Sequence, residues 1–290
     1  MTTPRQILKM KGLRPLKRLS QTFLEDRNII SKIIDILNIQ CNDVVIEIGA
    51  GMGIMTEAIA KSAGKVIAIE IDPYMIALLT KRFKDHLNVK IIHDDALAFD
   101  FSSIRPPLSP TGMLKVIGNV PYHISSQILF RLIDNRRYIE RMVLMFQKEL
   151  ADRICAGSGS REYGIPSVLI DMYAVCTREM TIPPHCFYPP PKIMSSVLKM
   201  VIRDKPQVNL KNHDLFIRLV KMAFSKRRKT LLNNLKGFIG HGYFENDILN
   251  ALHAAGIDGQ RRGETLSPIE FGRLSNAFCC QKNIDKDGQF

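Results

Sequence analysis

The chain has 290 residues, enough for one large domain with an appendage or for two domains. A hydrophobic fraction of 46% and a charged fraction of 24% are those of an ordinary globular protein and exclude a disordered or fibrous chain. No apolar stretch is long enough to span a membrane, and the formal net charge of +13 points to a polyanionic partner, because basic surfaces release counterions from phosphate backbones.

In chain order, residues 1–24 hold no acid but six cations: Arg5, Lys9, Lys11, Arg14, Lys17 and Arg18. The composition is that of an organelle presequence, yet motif-like sequence begins by Lys17 and leaves little room for a cleaved peptide, and no signal-peptide apolar region is present. An apolar-periodic helix is expected over 28–37. "DVVIEIGAGMG" (43–53) is a β-branched run entering a glycine cluster. "EAIAKSA" (57–63) reads as helix, "KVIAIEID" (65–72) as strand, and "PYMIALLTKRFKDH" (73–86) as a helix opened by proline. "NVKIIHDDAL" (88–97) and "LKVIGNVPY" (114–122) are each strand then loop. "SSQILFRLID" (125–134) reads as helix and "ERMVLMFQ" (140–147) as strand; further helix and strand material continues to about residue 203. Continuous apolar strands alternating with helices predict an α/β fold, a doubly wound parallel sheet covered on both faces. Residues 204–214, polar and proline-containing, suit a linker, and only helical periods follow: 215–224, 229–239, 244–256 and 267–278. The expected domains are therefore 1–205 and a small all-helical 206–290.

Six cysteines occur without a C-x-x-C pair, which argues for a reducing compartment and against a metal or disulfide framework. A second acid-free basic run, "KMAFSKRRKTLLNNLK" (221–236), complements the N-terminal one. Lys17, Arg18, Lys226, Arg227, Arg228 and Lys229 are candidate RNA contacts, two banks of one surface.

Gly49, Gly51 and Gly53 fall in the first strand-to-helix crossing, where glycine lets backbone approach a ligand. The fourth spacing position is Ile54, so the dinucleotide fingerprint fails. Glu47 precedes the glycines, Glu70 ends the second strand where it can accept ribose hydroxyls, and Asp95 follows the third strand, placed for an adenine amino group. A site for an adenosine-containing cofactor without a pyrophosphate anchor fits S-adenosylmethionine, which has adenine, ribose and a sulfonium but no phosphate. Asn119-Val120-Pro121-Tyr122 closes the fourth strand beside that cleft. The Asn119 side-chain oxygen and the Val120 carbonyl, aimed by the extended bias of a residue before proline, can hold an exocyclic amine. Tyr122 offers a stacking face for an extruded base. A sulfonium leaving group needs neither a general base nor a metal.

These residues resemble the ribosomal RNA adenine dimethyltransferases of the KsgA type, and the resemblance covers most of the chain. "KRLSQTFLED" is similar to the family's N-terminal block, "VIEIGAGMGIMT", "VIAIEID", "DDAL" and "GNVPYHIS" to its four cofactor and catalytic motifs. "CFYPPPKIMSSV" and "AFSKRRKTLLNNL" are similar to its later elements. The resemblance implies a Rossmann-like class I methyltransferase sheet with a small all-helical C-terminal domain for RNA or ribosome binding. It implies dimethylation of N6 of two adjacent adenosines near the 3′ end of small-subunit ribosomal RNA, in the precursor of the 30S subunit, by a cytoplasmic monomer with a role in subunit biogenesis. By position, Thr22, Leu24, Gly49, Glu70, Asp95 and Asn119 would line the cofactor, and Phe187 would pack on the target base opposite Tyr122. Ser20 and Thr22 stand where the family has Gly and Asn, leaving the Thr22 backbone carbonyl as the contact that could still serve. His123 stands where Asn is usual and is read as loop-structuring. The competing expectations are a large-subunit adenine methyltransferase of the macrolide-resistance type and a non-catalytic ribosome-assembly factor. "SKRRKTLLNNL" and "RRGETLSP" oppose the first, and the intact Glu70, Asp95 and Asn-x-Pro-Tyr oppose the second.

Overall fold

A computed structural model describes residues 4–12, 14–16, 19, 21–104 and 112–281, and the backbone of 282–284. Its elements run α1 (Pro4–Lys11), β1 (Phe23–Leu24), α2 (Arg27–Leu37), β2 (Val44–Ile48), α3 (Ile54–Ala60), β3 (Lys65–Glu70), α4 (Pro73–Arg82) and β4 (Val89–His93). They continue with β5 (Leu114–Asn119), α5 (Ser125–Asp134), β6 (Ile139–Gln147), α6 (Lys148–Ile154), α7 (Ile165–Tyr173), β7 (Ala174–Ile182), β8 (Phe187–Tyr188) and β9 (Ser195–Ile202). Four helices close the chain: α8 (His213–Ala223), α9 (Leu231–Leu235), α10 (Glu245–Ala255) and α11 (Pro268–Ile284).

The chain divides into two compact units, one of Met1–Ala151 with Cys176–Ile202 and one of Asp152–Val175 with Arg203–Phe290. The first holds a seven-stranded sheet in the order β4-β3-β2-β5-β6-β9-β7. β4, β3, β2, β5 and β6 are mutually parallel, as their continuous apolar runs require. β9 departs from the expected all-parallel arrangement and pairs antiparallel with β6, Gln147 facing Ser195. A parallel strand needs a crossover helix before it, and the chain between β7 and β9 supplies no α-helix.

The helices cover the sheet with the stripes their sequences predict. α2 starts where the Asp26 carboxylate accepts from the Asn28 and Ile29 amides, and it buries Ile30, Ile33 and Leu37. Those three pack with Val45, Val66, Ile117 and Val143 of the sheet. Each such side chain contributes about 1.5–3 kcal/mol on burial. One charge sits inside this layer: Lys115 of β5 donates from Nζ to Asp43 Oδ2 and to the Asn38 carbonyl, both at 2.6 Å. Both side chains of the pair are 4% exposed.

In the second unit α8–α11 bury Phe216, Leu219, Phe271, Leu274 and Phe278. The turn before α11 is fastened by Arg261, which donates to Glu270 at 2.5 Å, and this bond holds the Glu270 carboxyl down at about 2. The expected start of α9 shifts from 229 to Leu231 because the Thr230 hydroxyl accepts from the Asn233 amide and caps the helix there.

Candidate active site

The carboxyl ends of β2, β3, β4 and β5 meet on one edge of the parallel sheet, where a crevice is expected in an open α/β fold. The crevice has a volume of about 200 Å³. Its floor is the turn after β2. Gly53 has φ +75°, and a side chain there would come within 2.5 Å of the Phe83 ring, which with Leu79 packs α4 under the turn. Gly51 has φ +56° and donates its amide to Glu70 Oε2 at 2.8 Å.

Glu70 therefore has a structural task that its sequence position did not disclose. Its other oxygen accepts from the Ile71 and Asp72 amides, each at 2.9 Å, so one carboxylate ties the glycine turn to the end of β3. Burial pushes its pKa up, while these amides act in the opposite sense. Remaining acceptor capacity faces the crevice that Glu70 lines. Glu47 lies deeper, 2% exposed, and accepts from the Thr56 hydroxyl at 2.5 Å. Burial drives its pKa to about 8, so it carries a proton at neutral pH. Asp95 sits on the β4 side of the crevice, its Oδ1 taken by the Leu97 amide.

Opposite these carboxylates stands Asn119. Its Nδ2 donates to the Thr22 carbonyl at 2.7 Å, across 97 positions of sequence. That bond commits the amide nitrogen and so fixes which way Oδ1 is presented. The Thr22 backbone carbonyl, expected to face the cofactor, accepts here from Asn119. Thr22 is held by β1, which pairs with β8 in register Phe23↔Tyr188 and Leu24↔Phe187. Gln21 adds a second fastening, donating from Nε2 to Asp72 Oδ2 at 2.7 Å and accepting from the Leu16 amide at 2.8 Å. Leu8 of α1 is buried beside Phe23, Met52 and Met75, so the N-terminal segment is packed against the glycine turn.

Thr22, Leu24, Gly49, Glu70, Asp95, Asn119 and Val120 all line the crevice, so the structure brings together the expected cofactor residues and the amine-holding pair. His123 is exposed and also lines it. Tyr122 stands beside it, half-buried, its hydroxyl 2.7 Å from Ser195 Oγ. Phe187 does not reach the crevice: it is 2% exposed and packed among Leu24, Ile30 and Ile182. Its pairing with Leu24 sets it beside two residues, Leu24 and Ile30, that line the crevice.

Lys226, Arg227, Arg228 and Lys229 are exposed on the turn between α8 and α9, and Arg227 donates to the Arg161 carbonyl at 2.6 Å. Lys17 and Arg18 lie outside the described residues. Gln21, Thr56 and Ser195 escaped sequence reasoning. Each is an ordinary polar residue whose partner lies 9 to 73 positions away.

The lining has a consistent charge. Glu70, Asp94 and Asp95 contribute to it, and among the described residues no lysine or arginine does. In a chain of net charge +13 that arrangement suits a cationic, phosphate-free ligand. A sulfonium nucleoside with an amino-acid tail meets that requirement, and the glycine turn gives it close backbone approach. Among the described residues no helix is long and apolar enough to cross a membrane.

The family model for Ribosomal RNA adenine dimethylase matches residues 13–277. The chain is 44% identical over 278 residues to the Ribosomal RNA small subunit methyltransferase A of Syntrophus aciditrophicus (strain SB), covering 96% of this chain and 99% of that one. It is 42% identical over 270 residues to the protein of the same name from Geobacter metallireducens, covering 92% and 97%. Among solved structures, a dimethyladenosine transferase from Plasmodium falciparum superposes with a TM-score of 0.77 at 28% identity, over 90% of this chain and 98% of that one.

Proposed function

The chain belongs to the ribosomal RNA adenine dimethylase family, and from that premise we propose how its crevice performs the reaction. The protein transfers methyl groups from S-adenosylmethionine to N6 of adenosine in small-subunit ribosomal RNA. Its targets are two adjacent adenosines near the 3′ end, each carried to the dimethyl state in the precursor of the 30S subunit. It acts as a cytoplasmic monomer. Residues 206–290, with Lys226, Arg227, Arg228 and Lys229, hold RNA phosphates, and Lys17 and Arg18 are further RNA contacts.

The observation that carries this reading is the hydrogen bond from Asn119 Nδ2 to the Thr22 carbonyl. The lone pair of an adenine amine is delocalised into the ring, which makes it a poor nucleophile. With one N–H of Nδ2 donated to Thr22, the Asn119 amide is oriented to offer Oδ1 as an acceptor to that amine. Pro121 biases Val120 to extended backbone, and the Val120 carbonyl supplies the second acceptor. Two fixed dipoles then favour the positive charge that grows on N6 as it forms its bond to carbon. The proton displaced from nitrogen leaves to solvent. S-adenosylmethionine, when bound, supplies an electrophilic methyl on a neutral leaving sulfide. Glu70 would accept from its ribose and Asp95 from its adenine amino group, and Tyr122 would stack on the extruded target base.

The test is incubation of the protein with labelled cofactor and unmethylated small subunits, followed by nucleoside mass spectrometry. N6,N6-dimethyladenosine is expected with the native chain and is reduced by at least about 100-fold in Asn119→Ala, the scale of losing an aimed acceptor. Label in another base, or in large-subunit RNA only, overturns the assignment.

A further inference from the structure

Resting on the adenine-methylation reading above, we propose that Ser195 is a positioning residue that sets the angle of the Tyr122 ring for the target base. Strand order makes the contact possible. β5 and β6 end on the same edge where β9 begins, with Asn119 paired to Met145 and Met145 paired to Val197. Ser195, the first residue of β9, is fully buried and paired with Gln147, so its backbone is fixed by the sheet. Tyr122 reaches it from the loop after β5, hydroxyl to hydroxyl at 2.7 Å.

The other points of that loop are also held. Asn119 Nδ2 donates to the Thr22 carbonyl at 2.7 Å, and the Ser125 hydroxyl donates to the Pro121 carbonyl at 3.0 Å. A tyrosine ring has two free torsions, and a bond at its far end to a rigid strand restrains both. The ring is thereby set before a base arrives, so ordering it costs nothing during binding. Hydroxyl contacts of this kind need a partner when buried, which is why the pair is coupled rather than interchangeable with apolar residues.

Three variants test the assignment: Ser195→Ala, Tyr122→Phe and the double. Each single variant is expected to lower kcat for methylation of unmethylated small subunits about 5- to 10-fold, the scale of one buried hydrogen bond. The calorimetric affinity for S-adenosylmethionine and the thermal midpoint should stay near native. The double variant should be no worse than Tyr122→Phe, which already removes the bond to Ser195 along with the hydroxyl's contact to the Thr22 side chain. With an RNA carrying 2-aminopurine at the target position, the native protein should quench the extruded base and Ser195→Ala should quench it less. A kcat within twofold of native overturns the proposal, as do multiplicative losses in the double variant or a parallel loss of cofactor affinity. If the native protein itself transfers no methyl to adenosine, the reaction assignment fails instead.

Discussion

A carboxyl group buried as Glu47 is, with only Thr56 donating to it, keeps its proton well past the usual range. In the unfolded chain it ionises near 4.5, and in the folded protein near 8. Between those values the folded state holds a proton that the unfolded state has released. Stability from this group is therefore full below about 4.5 and is lost as pH rises through about 8. In the cofactor-free protein the fall is about 1.4 kcal/mol per pH unit across that window. Glu47→Gln should flatten the fall in urea midpoints measured from pH 5 to 8, and an unchanged slope would show that Glu47 is ionised when folded. The sequence disclosed Glu47, Glu70, Asp95 and Asn119 because strand ends are countable from apolar runs. It did not disclose Thr56, nor that three backbone amides occupy Glu70, because hydrogen-bond partners depend on the closed fold. Phe187 shows the limit most clearly. Its motif was legible, but its register against Leu24 depends on the closed fold.

Elements were legible in proportion to their length. α5 spans the predicted 125–134, and β6 falls within a residue of its expected position. α4 ends at Arg82, four residues before the expected 86, because Phe83 folds beneath the glycine turn and the helix cannot continue past it. β1 and β8, two residues each, are too short to show any period, yet they carry Thr22 to Asn119. β5 shows what a periodic reading omits. Lys115 appears in an apolar run as a single cation, and its partners Asp43 and Asn38 lie 72 and 77 positions away. Removing one member of such a buried pair strands the other charge. Lys115→Ala should cost about 3–5 kcal/mol in urea unfolding, whereas Lys115→Met with Asp43→Leu should cost much less. Equal losses would mean that packing, not the charge, is what Lys115 contributes.

At the level of the whole molecule two electrostatic demands coexist. The chain carries a net charge of +13, while among the described residues no lysine or arginine lines the crevice. Composition foretold the first and could not foretell the second, since only the folded arrangement says where each charge lies. Changing Lys226, Arg227, Arg228 and Lys229 together to Gln should flatten the dependence of log RNA affinity on log salt by up to about 3, at roughly 0.7–0.9 per lost phosphate contact. Cofactor affinity should be unaffected, and an unaltered salt slope would mean that this turn does not touch RNA. The bond between Asn119 and Thr22 has a practical corollary. Thr22 and its neighbours in β1, outside the seven strands of the main sheet, hold the residue proposed to grip the target amine. A purified sample clipped by a protease just beyond them would keep its sheet and yet turn over little or nothing, so a count of folded molecules would overstate the count of competent ones.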